Sequence, residues 1–389
     1  MKILFTVENY YPKMSGVPVV TRYLAEGLQR LNHEVCIATR WIEGRDEKEE
    51  YNGITIYRFH INYNLIKKTS GDLLEYKNFC INSGFNAIVC ECSQCVTTDA
   101  LLPYLKDYKG KKVFHSHGFS GMLLKPFEIK DTIRNTVANT LNYFNWRRYY
   151  NNYFKNYINQ FDKVFCLSEV DSSKDYLETY APGKVSVLSN AADDMFFEYD
   201  ELSSNPLNKY APKFNGNYYI SIANYNEYKN QIGILEEFYK LEENNNSMVF
   251  VGSTPTSYYN ELLREKHELD KKYGKRNVYC LTGVNRMDIP GIIGNATLYL
   301  VGSRFEEFSI SLIESMALGV PFVSTNVGNA RVLPGGITIN EISYMHKAIA
   351  DLMAKPDRRV ELSNCGRVYT REKCRISEAV KTLENVLEK

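Results

Sequence analysis

Two glutamates, Glu306 and Glu314, separated by seven residues, are the pair in this chain best placed to do chemistry. They lie in Ser303-Arg304-Phe305-Glu306-Glu307-Phe308-Ser309-Ile310-Ser311-Leu312-Ile313-Glu314-Ser315-Met316-Ala317-Leu318-Gly319-Val320-Pro321. The preceding run, 296–301, is short, apolar and β-prone, so it reads as a buried strand. Beyond Phe308, apolar Ile310, Ile313, Met316 and Ala317 recur at helical spacing, and Gly319 and Pro321 end the helix. A helix start facing the mouth of a parallel sheet is an anion site, because its first N–H groups have no intrahelical partner. Glu306 falls in the loop at that mouth and Glu314 on the helix behind it. This arrangement suits phosphate on the amides near Ser309 and Ile310, and hydroxyl-rich groups on the carboxylates. The plain alternative is a half-buried helix carrying two solvated glutamates.

The stretch resembles the E-x7-E motif of retaining glycosyltransferases of the GT-B fold, in particular the group 1 (family 4) set. Those enzymes usually read E-G-F-G followed by L-E-A-M-A-x-G-x-P. Both glutamates, Phe308, Met316-Ala317, Gly319 and Pro321 are kept, while Glu307 and Ser309 stand where the family commonly has glycine. Tyr11-Pro12-Lys13-Met14-Ser15-Gly16-Val17 is similar to the family's Y-P-P-x-x-G-G-V loop, with Ser15 in place of one glycine. A small residue such as Gly16 lets backbone N–H groups approach a diphosphate; the plain reading is a turn glycine. In His115-Ser116-His117-Gly118-Phe119, His117 matches the family's histidine that contacts the donor sugar, and His115 is read as a structural histidine. A metal held by the two histidines is disfavoured, since no acidic or thiol partner is near in sequence. Asn190 and Asp193 match a P-N-G-V-D segment that here lacks its proline and glycine, and read as loop-shaping. Lys229 falls on the lysine of G-R-L-x-x-x-K-G, and Asn224 replaces its arginine. An asparagine can donate a hydrogen bond to phosphate but supplies no charge. Arg304 or Arg331 is the candidate for the missing cation.

What the resemblance implies is an α/β chain with two Rossmann-like domains facing each other across a central cleft. It implies retaining transfer of a hexose-type sugar from a nucleotide diphosphate sugar to a glycan or lipid-linked acceptor, without metal or other cofactor. Lys229, Gly16 and the helix start near Ser309–Ile310 are assigned to the phosphates, together with Asn224 and Arg304. Glu314 is assigned to the ribose, Glu306 and His117 to the donor sugar, and Glu307 and Phe308 to the substrate pocket. Most relatives of this kind build cell-surface polysaccharides. Two other readings stand beside this one: a sugar-nucleotide epimerase on the same scaffold, and a catalytically silent glycan-binding or scaffolding relative. A dinucleotide oxidoreductase is disfavoured, because no complete G-x-G-x-x-G follows either opening strand.

The elements needed to position these residues alternate along the chain. Strands are expected at 2–7, 34–39, 54–59, 87–90, 112–115, 163–167 and 184–188, with a helix at 17–31 after the first. A second set follows at 218–223, 248–252, 278–281, 297–301 and 321–324. This alternation predicts mostly parallel sheets covered by helices. The polar stretch 198–217 reads as an interdomain join. The expected domains are 1–200, on the acceptor side, and 201–370, binding the nucleotide sugar. A C-terminal helix, 371–389, is expected to return to the first domain.

A chain of 389 residues is long enough for two such domains. With 47 basic and 46 acidic side chains, no global field draws it to nucleic acid. Nine cysteines, an odd number, and no leader-like N-terminus point to a reducing, cytoplasmic setting; Cys90, Cys92 and Cys95 read as thiols rather than metal ligands. The segment 125–163 mixes rings (Phe144, Trp146, Tyr149, Tyr150, Tyr153, Phe154, Tyr157) with Arg147, Arg148 and Lys155. Rings packed on their own domain are the plain reading. Peripheral contact with the inner face of a membrane is the functional one. The oligomeric state is not legible.

Overall fold

The computed structural model describes all residues except 14–15, 64–67, 124–125, 127–132, 200–204 and 243–244. Ser15 of the glycine-poor loop and part of the aromatic segment are therefore outside the described residues. The chain divides into two compact units, Met1–Asn190 with Ile376–Lys389, and Ala191–Arg375.

The first unit is built on strands β1 (Lys2–Thr6), β2 (Glu34–Arg40), β3 (Lys48–Tyr51) and β4 (Ile54–Phe59). A small hairpin follows, β5 (Ile61–Tyr63) and β6 (Thr69–Gly71), and then β7 (Ala87–Glu91), β8 (Lys111–His115), β9 (Lys163–Cys166) and β10 (Val185–Val187). Helices α1 (Val17–Arg30), α2 (Leu73–Asn82), α3 (Val96–Asp99), α4 (Ile133–Arg148) and α5 (Lys174–Tyr180) connect them. The sheet order is β10-β9-β8-β7-β1-β2-β4-β3, parallel except for the β3–β4 pair. β1 and β7 read as unbroken apolar runs because both their faces are covered: Ile3, Leu4, Phe5, Ile88 and Val89 are all sealed from solvent. The charged Lys48–Tyr51 strand was not among the expected ones. It sits at the sheet edge, where half its side chains face water, so it carries no apolar pattern.

The second unit contains β11 (Asn217–Ile222), β12 (Asn246–Gly252), β13 (Val278–Thr282), β14 (Leu298–Val301), β15 (Phe322–Thr325) and β16 (Gly336–Ile339). All pair in parallel in the order β13-β12-β11-β14-β15-β16. Its helices are α6 (Leu207–Tyr210), α7 (Gln231–Tyr239), α8 (Ser257–Tyr273), α9 (Ile289–Gly294), α10 (Ile310–Ala317), α11 (Met345–Ala354) and α12 (Pro356–Lys373). The stretch read as a join carries Leu207 and Ala211, which are buried in this unit's core with Phe196 and Tyr218. The chain is thus packed there rather than free.

The last helix, α13 (Ile376–Glu388), belongs to the first unit. It buries Ala379, Val380, Leu383 and Leu387. A Cβ on Gly27 of α1 would come within 2.2 Å of Val380, so only glycine admits this approach. Lys111 Nζ also donates to the Val386 carbonyl (3.1 Å).

The aromatic segment splits in two. Tyr150, Phe154, Ile158 and Phe161 are wholly buried against β8 and β9, each worth about 1.5–3 kcal/mol of burial for the apolar residues among them. Tyr149 and Tyr63 both donate to the buried Asp99 carboxylate (2.5 and 2.7 Å). Val137, Leu141 and Phe144 on α4 remain exposed at one-face spacing. The nine cysteines are free. Among the described residues no helix is long and apolar enough to cross a membrane.

Candidate active site

In the second unit β11 is followed outward by β12 and β13 on one side and by β14, β15 and β16 on the other. The reversal of strand order falls between β11 and β14, and open α/β sheets bind ligands beyond the carboxyl ends of strands at such a point. There a small cavity of about 20 Å³ is lined by Ser221, Lys229, Ser303, Glu306, Ser309 and Ser311, among others. It is large enough for about one water. Three of the sequence-selected residues, Lys229, Glu306 and Ser309, therefore meet in one place. Lys229 Nζ forms an ion pair with Glu306 Oε1, and the same oxygen accepts from Ser303 Oγ at 3.0 Å.

Local structure explains how each arrives. The loop after β11 is held by Gln231 Nε2, which donates to the carbonyls of Ala223 (3.4 Å) and Asn224 (3.1 Å). Asn226 accepts the Lys229 amide at 3.0 Å, and Asn230 then turns left-handed (φ 53°) to open α7. The Arg304 amide donates to the Tyr228 carbonyl at 2.7 Å, which fastens the Glu306 loop beside Lys229. Gly328 supports that loop from below: with φ at 50°, a Cβ would meet the carbonyl oxygens of Glu306 (2.7 Å) and Glu307 (2.8 Å). Ser309 caps α10 in an extended conformation, its amide taken by Asn329 Oδ1 at 2.8 Å. Neither Glu307 nor Ser309 has positive φ, so the two departures from glycine cause no backbone strain. Ile310 is the first residue of α10 and half-buried, and Phe308 packs on the unit's core.

Glu314 is buried, at 4 % exposure, and pairs with Arg286, which also lies over the Phe196 ring at 4.8 Å. Burial raises the Glu314 pKa, the Arg286 guanidinium works against that rise, and Asp193 adds to it. Arg286 was not picked out from the sequence. Its signal was position, since it follows the strand at 278–282 on the ligand-bearing side of the sheet. Asn224 is exposed and accepts from Ser253 Oγ at 2.7 Å. Arg304 is exposed and forms no ion pair among the described residues, whereas Arg331 Nε is engaged with the Gly328 carbonyl (3.2 Å).

In the first unit Gly16 is exposed, has φ at 65° and starts α1, with nothing within 4 Å of where a Cβ would sit. His117 also adopts a left-handed conformation (φ 55°), followed by Gly118 (φ 84°), and this folds its ring back over the end of β8. Its Nε2 is hydrogen-bonded to Glu91 Oε2. Glu91 is the register partner of His115 across β7 and β8, so strand pairing supplies the acidic neighbour that sequence proximity did not show. His115 Nδ1 lies 3.0 Å from Glu91 Oε2, and the two imidazoles stand 3.9 Å apart. Burial alone would raise the Glu91 carboxyl; the two imidazoles outweigh it and bring it down to about 2. Burial, seconded by His115, lowers the His117 pKa, which keeps its ring neutral at neutral pH. These three residues are close enough to hold a metal ion together. Asp193 caps a short 3-10 turn by accepting the Met195 amide at 3.2 Å, and Asn190 is buried. A concavity of about 720 Å³ between β3, β4 and α2 contains none of the selected residues.

The sequence profile of "Glycosyl transferases group 1" matches residues 207–367, and that of "Glycosyltransferase Family 4" matches residues 14–195. The chain is a group 1 glycosyltransferase. Its fold is that of the GT-B enzymes. A sucrose-phosphate synthase from Thermosynechococcus elongatus superposes with TM-score 0.73 at 13 % identity, covering 100 % of this chain and 98 % of that one. Anabaena HepE in complex with UDP gives TM-score 0.72 at 14 % identity, covering 100 % of both chains. A glycosyltransferase from Rickettsia africae gives 0.72 at 16 % identity, covering 100 % and 98 %. Among curated proteins no relative matches. At such identities the superpositions establish how this glycosyltransferase is folded, and its substrates must be argued from the site.

Proposed function

We propose that this glycosyltransferase moves a hexose from a nucleoside diphosphate sugar to a hydroxyl of a glycan or lipid-linked acceptor. The observation that carries the reading is the meeting of Lys229, Glu306 and the start of α10 where the strand order of the second sheet reverses. An ammonium and free helix amides at one point bind the diphosphate. The carboxylate beside them hydrogen-bonds the sugar. The bond from the anomeric carbon to the phosphate oxygen breaks, and a bond to the acceptor oxygen forms on the same face. The acceptor's proton passes to the departing phosphate. Negative charge growing on that phosphate is stabilised by Lys229, by the amides near Ile310 and by Arg304, whose free guanidinium offsets the charge missing at Asn224. Glu314 holds the ribose, which requires Arg286 to share or release it. His117 and Gly16 serve the sugar and the diphosphate by family resemblance. No metal is needed in this scheme, since the cations are side chains.

HepE has been crystallised with UDP-glucose, which makes uridine nucleotides the first donors to try. A thermal-shift screen of UDP-, GDP-, ADP- and CMP-sugars tests the reading. A donor at about 100 times its Kd should add ~2.7 kcal/mol of stability, and no shift with any of them would sink it. The epimerase and the silent relative are separated by product: transfer yields free nucleoside diphosphate and an extended acceptor.

The setting we favour is the cytoplasmic face of a membrane, in cell-surface polysaccharide assembly. Exposed Val137, Leu141 and Phe144 line up with Arg148 on α4, an apolar stripe ending in a cation. Flotation with vesicles containing anionic lipid should carry the wild type up. A Leu141→Glu, Phe144→Glu variant that floats equally would refute the membrane role of this helix.

A further inference from the structure

Glu91 is wholly sealed from solvent, yet it sits at the ligand-bearing end of β7; its Oε2 is hydrogen-bonded to His117 and lies 3.0 Å from His115 Nδ1, while its Oε1 is buried with no partner among the described residues. A buried carboxylate costs several kcal/mol unless its partners are well placed, so a purely structural role would be better filled by an apolar residue. Its two neighbours are treated differently. Both ring nitrogens of His115 are buried without a hydrogen-bond partner, the Nδ1 contact at 3.0 Å being off the line of a hydrogen bond. His117, in contrast, turns its Nε2 directly onto Oε2, while its Nδ1 has no partner among the described residues and is not one of the sealed, unpaired atoms.

Resting on the transferase reading, we propose that Glu91 is a positioning residue for His117. By accepting a hydrogen bond from Nε2–H, it keeps the proton on that nitrogen and leaves Nδ1 as a bare acceptor for a hydroxyl of the donor sugar. The left-handed backbone at His117 and Gly118 aims the ring, and Glu91 fixes both its rotation and its tautomer. A metal among the three residues is the competing use of the cluster. Two atoms bound to one zinc at about 2.0–2.1 Å stand roughly 3.3 Å apart. Here carboxylate and imidazole are in direct hydrogen-bond contact, which is the geometry of a shared proton.

Proton NMR of the intact protein with 15N-labelled histidine reads the contact without any activity assay. The wild type should show a deshielded ring N–H proton coupled to His117 Nε2, lost in Glu91→Leu and kept in Glu91→Gln, whose amide oxygen still accepts. Kinetics give the second readout. Glu91→Leu should lose roughly 10–100-fold in transfer rate, as partners that orient a functional imidazole do elsewhere. Its Kd for the bare nucleoside diphosphate should stay within about twofold, because His117 meets the sugar and not the phosphates; Glu91→Gln should recover most of the rate. If nucleotide-sugar binding is intact but the N–H signal is absent from wild type, or Glu91→Leu transfers normally, the positioning role is overturned. A metal ion recovered at one per chain and lost in Glu91→Leu would overturn it too, since a ligating Nε2 carries no proton. Failure of every nucleotide sugar to bind would instead indict the transferase reading, with the N–H signal unaffected.

Discussion

Lys229→Ala is the substitution whose cost can be worked most directly from the structure. The ammonium is 29 % exposed and its partner Glu306 14 %, so the pair is neither in bulk water nor fully desolvated. At an effective dielectric constant of about 20, a unit charge about 4 Å from a phosphate oxygen is worth ~4 kcal/mol. Part of that is already present in the ground state, because Lys229 also neutralises the bound diphosphate before reaction. Only the share tied to charge that develops as the sugar departs shows in kcat. Removing one preorganised donor typically costs ~10²–10³ in rate, and the partial exposure of Lys229 places the expectation toward the lower end of that range. The assay is release of nucleoside diphosphate under saturating donor, compared with wild type. Folding must be separated from chemistry. A half-exposed ion pair contributes about 0–1 kcal/mol, so the thermal midpoint should move by less than about 4 °C. Wild-type turnover from a variant of unchanged Tm would refute the assignment of Lys229 to the leaving group. A large fall in Tm would instead show that the pair holds the loop together.

Glu306→Gln keeps the Ser303 contact available but removes the ion pair; turnover is expected to fall about 10²-fold with donor affinity little changed, measured by kcat and KM separately. Gly328→Ala should cost about 1–3 kcal/mol in urea denaturation and lower turnover as well, since its Cβ displaces the carbonyls of Glu306 and Glu307; an active, fully stable variant would contradict the packing described. Burial raises Asp99 to about 6, against 3.8 unperturbed, and the hydroxyls of Tyr149 and Tyr63 only partly offset it. Between those values the folded state holds the proton more tightly than the unfolded one, so this group's contribution falls as pH rises from about 4 to about 6, by up to ~3 kcal/mol. Asp99→Asn should flatten that slope in urea midpoints taken across the window, and an unchanged slope would remove Asp99 as its source.

The strand–helix alternation was readable because parallel strands buried on both faces leave dense apolar runs, and nearly all the strands that bear the site were of that kind. The edge strand Lys48–Tyr51 and the short Gly336–Ile339 escaped, the first for want of apolar residues and the second because one strand-breaking glycine precedes it and another opens it. Lys229 and Glu306 were visible through motif spacing, and the structure sets them in contact. Glu91 and Arg286 were not, since each reaches its partner across 26 or 28 residues through sheet pairing and a loop, a relation that local spacing does not encode. Asn224 shows the opposite case: the missing charge was legible, but not that Arg331 is engaged with the Gly328 carbonyl while Arg304 forms no ion pair among the described residues.

Gly27 and Val380 have a consequence for how the polypeptide is made. The helix that covers α1 is translated only after the whole of the second unit, so the first unit leaves the ribosome with the face of α1 around Gly27 still bare. Deleting Ile376–Lys389 should therefore injure the part of the molecule that was synthesised first, and leave the part synthesised last intact.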